Sequence, residues 1–229
     1  MDETSGGGTA FRISIGLAFI GGYADASSYL LARTFTGHLT GNCVLAAVST
    51  AGKDWFLTLD RLLAVIVFLG GILLSLMLNR FVSARLRQSP LAIAMLIEVL
   101  LFLSAFLFIS NRANDLFIVC MCLALGIQNG ALQRTNGISV HSTYMTGTVT
   151  TLMHKSFNQF SAKGSPKADS AKQPACLAIR VLTSMWISFI FGAVTGAMMV
   201  ASFHSIGLLG ILLLLIPLTF AETKKKLPA

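Results

Sequence analysis

Long apolar runs recur along this 229-residue chain, and a helix needs about 20 mostly apolar residues to cross the hydrocarbon layer of a membrane. Six stretches approach or exceed that length: 11–32, 62–80, 91–109, 116–133, 177–201 and 205–221. Composition points the same way. The chain is 55% hydrophobic and only 11% charged, whereas a soluble domain carries about 25% charged residues. The chain is therefore read as an all-α, polytopic membrane helix bundle. Its net charge of +8 does not make it a nucleic-acid binder, because the cations sit between apolar runs and in Lys224, Lys225 and Lys226. That pattern is the mark of loops kept on the cytoplasmic side.

The organisation expected is a flexible tail over 1–10, a first membrane repeat over 11–110 and a second over 115–221, then a basic tail over 222–229. Within the second repeat, 159–174 reads as a polar cytoplasmic loop carrying Lys163, Lys167 and Lys172. The N-terminus lacks the cationic start and small-residue cleavage site of a secretory signal, so the first apolar run is expected to remain as a span. Four cysteines, Cys43, Cys120, Cys122 and Cys176, form no CxxC pair. The first three read as small buried hydrophobes, and no cofactor or metal site is implied.

Two further stretches, 38–50 and 139–153, are apolar but short and interrupted. The first opens on His38-Leu39-Thr40-Gly41-Asn42, and the second holds His141, Thr146, Gly147 and Thr148. Non-helical backbone survives at membrane depth only inside protein or beside a water-filled cavity. Both are read as short re-entrant or broken helices. They also resemble each other. Gly21-Gly22-Tyr23-Ala24-Asp25 precedes Thr40-Gly41-Asn42 much as Leu125-Gly126-Ile127-Gln128-Asn129 precedes Thr146-Gly147-Thr148. Gly71-xxx-Ser75 and Gly192-xxx-Gly196 then fall in the next long run of each half.

With six crossings and an internal N-terminus, the cytoplasmic side holds Arg12, Arg80, Arg85, Arg87, Arg134, Lys155, Arg180 and the cations of the loop and C-terminal tail. Only Arg33, Lys53, Arg61 and Arg112 remain outside. Charge favours internal termini, and scarcely distinguishes six crossings from eight; the polarity of the two short segments favours six. Three crossings per half make the halves inverted repeats, a plan recurrent among secondary transporters.

Gly22-Tyr23-Ala24-Asp25-Ala26 followed by Phe35-Thr36-Gly37-His38-Leu39-Thr40-Gly41-Asn42 resembles the first signature of the YoaK family of bacterial membrane proteins. Gly126-Ile127-Gln128-Asn129-Gly130-Ala131 followed by Ser142-Thr143-Tyr144-Met145-Thr146-Gly147-Thr148 resembles its second. The resemblance implies a bacterial inner-membrane location and carries over no catalytic residue.

Asp25 is the first candidate site residue, since a carboxylate within a membrane helix costs about 2.5–3.5 kcal/mol on insertion scales and usually faces a cavity or a partner. It reads either as a cation or proton site or as a structural hydrogen-bond acceptor for a helix end or Tyr29. Thr40, Gly41 and Asn42 with Thr146, Gly147 and Thr148 would open two short helices whose free N–H groups and positive dipole ends suit a small polar or anionic solute. Capping and close packing would explain the same residues without a solute. Gln128 and Asn129, with Gln133, would line a polar path or bridge helices. Glu98 reads as a solvated or Arg-paired carboxylate near the cytoplasmic end of its helix. His38 and His141 lack ligand-spaced partners, which leaves a proton relay. The Gly192/Gly196 pair fits either internal packing or a dimer face, so homo-oligomerisation stays open.

No catalytic motif is present, and the chain is not read as an enzyme. The reading is a transporter or channel-like permease for a small solute or ion, sited between the repeats and surrounded by membrane lipid. The alternative is a membrane scaffold or accessory subunit with no solute pathway.

Overall fold

The computed structural model describes residues 3–85, 89–161 and 168–224. Its helices are α1 (Glu3–Ala32), α2 (Leu39–Ala51), α3 (Trp55–Arg85), α4 (Pro90–Ser110), α5 (Asn114–Ala131), α6 (Met145–Ser161), α7 (Ala168–Phe203) and α8 (Gly210–Thr223). A 3-10 turn, His204–Leu209, joins α7 to α8, and the pair β1 (Arg134–Thr135) and β2 (Ile138–Ser139) lies between α5 and α6. Arg87, Lys163, Lys167, Lys225 and Lys226, counted above as cytoplasmic, lie outside the described residues. The expected tail over 1–10 is helical from Glu3, and the expected loop over 159–174 is entered by α6 to Ser161 and by α7 from Ala168.

Among the described residues, four stretches are long and apolar enough to cross a membrane: Trp55–Phe81, Pro90–Ser110, Asn114–Ala131 and Ala175–Thr223. In water the most apolar helices would be the most buried. Here Trp55–Phe81, among the most apolar, is only 22% buried, while Asn114–Ala131, the least apolar of the four, is 61% buried. Phe56, Ile66, Leu73, Leu100, Phe191 and Met198 stand exposed on the outer helices. The inverted gradient is that of a helical bundle whose outer surface meets lipid.

α1 and α5 form the centre. Leu17, Ala18, Ile20 and Ala24 of α1 and Phe117, Met121, Leu125 and Ile127 of α5 are almost wholly buried. α1 packs chiefly on α7, and α5 on α3; α2 lies on α3, and α6 on α7; α4 lies against α5, and α8 against α1. Both main crossings depend on missing side chains. A Cβ on Gly192 would stand 2.0 Å from the Phe19 carbonyl oxygen, and one on Gly126 would stand 2.4 Å from that of Phe68. Gly196 meets the Tyr23 backbone and Gly71 that of Leu123. The small-residue pairs therefore serve crossings inside one chain, which fixes the role that the sequence left open for Gly192 and Gly196. Polar ties fasten α1 to its neighbours: Gln128 Nε2 donates to the Leu17 carbonyl (3.0 Å), Ser188 Oγ to that of Ile15 (2.9 Å), and Ser14 pairs with Thr135.

Local sequence sets the boundaries. Pro90 follows Ser89 at the start of α4, where proline's missing N–H costs nothing. α1 ends because Arg33 takes the left-handed conformation, φ 53°, while its N–H still bonds the Tyr29 carbonyl at 2.9 Å. Asn136 and Gly137, at φ 51° and 78°, make the tight turn between β1 and β2.

Two expectations change. Glu98 is 0% exposed, and neither carboxylate oxygen has a hydrogen-bond partner among the described residues, so it is not solvated and pairs with no arginine described there. Its neighbours along the inner face of α4, Met95 and Phe102, are buried with it. Cys43 faces outward from α2 instead of packing inside.

Candidate functional site

The break between α1 and α2 is organised by Asp25, which lies about two turns before the end of α1. Its Oδ1 accepts the backbone N–H groups of Thr36 and Gly37, each at 2.8 Å, and its Oδ2 pairs with His38 Nδ1 at 2.8 Å. Asp25 is 4% exposed. Its oxygens are taken by the chain itself, so the structural alternative raised above accounts for its presence. The helix end it serves belongs to the adjoining break, and Tyr29 stacks instead on Phe35. Asn42 closes the same loop: its Oδ1 accepts the Phe35 N–H (3.0 Å) and its Nδ2 donates to the Phe35 carbonyl (2.6 Å). Gly41 lies beneath the Phe35 ring, 3.4 Å from a Cβ placed there. Arg61, 5% exposed, donates from Nη1 to the Leu45 carbonyl and from Nη2 to that of Arg33, at 2.5 and 3.3 Å. This cation thus ties the Arg33 carbonyl at the break to the body of α2.

The second break has a different support. α5 ends at Ala131, the hairpin follows, and α6 starts at Met145. The stretch 139–144, expected to be part of a short helix, is strand and loop. Asn129 Oδ1 has no partner among the described residues, although it is shielded from solvent. Gln128 is wholly buried and points at α1, where only its amide nitrogen is satisfied. Gln133 is exposed and bonds the Gly130 carbonyl at 3.0 Å.

The two breaks meet. A cavity of about 320 Å³ is lined by Gly37, His38, Leu39 and Thr40 from the first and by Thr143, Tyr144, Met145 and Thr146 from the second, with Phe68, Asn129 and His141. Among the described residues, nothing accepts a hydrogen bond from the N–H groups of Leu39, Thr40, Gly41, Thr146 or Gly147. Two first turns therefore carry free donors at one hollow. A larger cavity of about 610 Å³ adjoins it between the hairpin, α6 and α7, and contains Gly147, Thr148, Thr151 and Lys155. His141 and Tyr144 line both.

Of the residues singled out in the sequence, Thr40, Asn129 and Thr146 line the central cavity, while Gly147 and Thr148 line the larger one. Asp25, Gly41, Asn42 and Gln128 line neither; Asp25 and Asn42 hold the first break in shape from behind, and Gln128 ties α5 to α1. Sequence reasoning missed Tyr144 and Phe68. Tyr144 precedes Thr146-Gly147 by the same spacing at which His38 precedes Thr40-Gly41, a signal that would have found it.

Residues 13–221 match the family described as "Protein of unknown function (DUF1275)". The chain is also 27% identical over 141 residues to the UPF0700 transmembrane protein YoaK of Bacillus subtilis (strain 168), a match that takes in 60% of this chain and 63% of that protein. The chain thus spans less than two thirds of the relative's length. No solved structure matches. The relative, described as transmembrane, agrees with the apolar helices in giving a multi-pass membrane protein.

Proposed function

The chain belongs to the DUF1275 family, and we propose that it is a permease for a small solute, with the solute held in the cavity between the two broken helices. One observation carries the reading: a single hollow is bordered by the opening residues of both α2 and α6. Its volume, about 320 Å³, lies at the lower end of ligand-site sizes, roughly 300–1,000 Å³. The donors there are backbone N–H groups, threonine hydroxyls and imidazoles, and Asp25 is occupied elsewhere. A solute rich in hydrogen-bond acceptors, anionic or neutral, is the match. Backbone N–H groups, hydroxyls and imidazoles can all serve as binding groups, and transport without chemistry is the reading adopted.

The same proposal takes six crossings of the bacterial inner membrane in two inverted repeats, with both termini cytoplasmic. In support, Ala175–Thr223 is 49 residues long, enough for two passes. The partners of α1 and α5 also exchange as a two-fold relation requires: α1 with α7 and α8, α5 with α3 and α4.

The test is water access. With Cys43→Ala and Cys176→Ala removing the exposed thiols, Thr40→Cys and Thr146→Cys in reconstituted vesicles should react with a membrane-impermeant methanethiosulfonate, and modification should slow flux of carried solutes. Protection of both positions from both sides would leave a dry scaffold instead.

A further inference from the structure

Among the described residues, His141 and Tyr144 are the ones that line both cavities, and the tyrosine is poorly anchored. Its ring lies over Gly147: a Cβ there would stand 2.0 Å from Cε1 and 2.7 Å from Cδ1. Its phenol has no hydrogen bond among the described residues, and the residue is 57% exposed. Beyond the glycine seat, its ring contact is edge-on to His141, with centroids 6.2 Å apart.

The corresponding residue of the first break in the proposed repeat is His38, and it is fixed. Asp25 holds its imidazole and also the two N–H groups before it. The residue matching Asp25 in the second half is Asn129, whose Oδ1 holds nothing. One break is therefore tied at three points, and the other lacks that tie. Motion between the cavities falls to the untied side.

We propose that Tyr144, seated on Gly147, is the gate between the larger cavity and the solute site, and that it sets which solutes pass. This rests on the permease reading. In the closed position the ring fills the space that a side chain at 147 would need. Opening requires only that an unbonded side chain rotate off a glycine, since no hydrogen bond must break.

Labelling rates test it in the Cys43→Ala, Cys176→Ala protein. Lys155 lines the larger cavity alone, so Lys155→Cys reports the side from which that cavity is reached. From that side, an anionic methanethiosulfonate should label Thr40→Cys about ten-fold faster when Tyr144→Ala is added, equivalent to ~1.4 kcal/mol removed from the closed state. Gly147→Ala, which leaves the ring intact but displaces it, should give the same acceleration, and Tyr144→Phe should not. Equal rates in the parent, Tyr144→Ala and Gly147→Ala would overturn the gate while the wet cavity stands. Protection of Thr40→Cys in every background, with Lys155→Cys reactive, would overturn the gate and the permease together.

Discussion

Asp25→Ala should destabilise the protein more than a change at any residue lining the cavity. The substitution strands the N–H groups of Thr36 and Gly37, both buried and each now donating at 2.8 Å. A buried donor left unpaired costs about 1–3 kcal/mol, so the pair contributes roughly 2–6 kcal/mol. The His38 arm adds little, because that side chain is 37% exposed and solvent-screened pairs contribute about 0–1 kcal/mol. Asp25→Asn keeps an acceptor for both N–H groups but loses the charge. Hydrogen bonds to charged groups contribute about 1.5–3 kcal/mol and neutral ones about 0.5–1.5, so roughly 2 kcal/mol should go. A contrary expectation exists, since side-chain hydrogen bonds measured within membrane proteins average only about 0.6 kcal/mol. Those bonds are single and interhelical, whereas Asp25 serves two backbone groups that have no alternative partner. Equilibrium unfolding in mixed micelles of rising dodecyl sulfate fraction, followed by circular dichroism, would order the variants as wild type, Asp25→Asn, Asp25→Ala. Asn129→Ala supplies the contrast: it removes an oxygen that bonds nothing and should fall within about 1 kcal/mol of wild type. The reasoning fails if Asp25→Ala costs less than about 1 kcal/mol, or if Asn129→Ala costs as much as Asp25→Ala.

Adjacent glycines on α3 should respond in opposite directions in the same unfolding measurement. A Cβ on Gly71 meets the Leu123 carbonyl oxygen at 2.8 Å, so Gly71→Ala must push α3 and α5 apart at about 1–3 kcal/mol. One on Gly70 meets nothing within 4 Å, so Gly70→Ala should gain up to about 1 kcal/mol of helix propensity. Equal effects would remove the crossing from the account. Glu98→Leu should raise the thermal midpoint, because it replaces an unpartnered buried carboxyl with a side chain suited to its apolar surroundings. A lower midpoint would mean that Glu98 has a partner.

The helical framework was legible in the apolar runs because run length is a property of the chain alone. The runs at 91–109 and 116–133 return nearly residue for residue as Pro90–Ser110 and Asn114–Ala131. The helix pairs built on Gly71 and Gly192 were readable because small residues at that spacing have few other uses in a membrane. What escaped was local or long-range. The hairpin was signalled by Asn136-Gly137, a dipeptide suited to two left-handed residues in succession, yet the polar run after it was read as helix. From the sequence Asn42 reads as part of a helix-opening turn, and Gln128 as lining a polar path or bridging helices. Which way such a side chain turns depends on a partner distant in sequence, and Gln128 finds its partner at Leu17.

Asp25 shows why polarity at depth is a poor guide to solute contact. A break in a membrane helix frees N–H groups that water cannot serve, so some residue must serve them before any ligand does. In the first half a carboxylate meets that need, and the more firmly it does so the less it can offer a solute. In the second half the matching amide oxygen has no partner among the described residues, and the loop beside it carries His141 and Tyr144, which line both cavities. A site built from two similar breaks gains a fixed wall and a movable one when only one break is tied. In the permease proposed above, the replacement of Asp25 by Asn129 across the proposed repeat would leave one helix end tied and the other free to open.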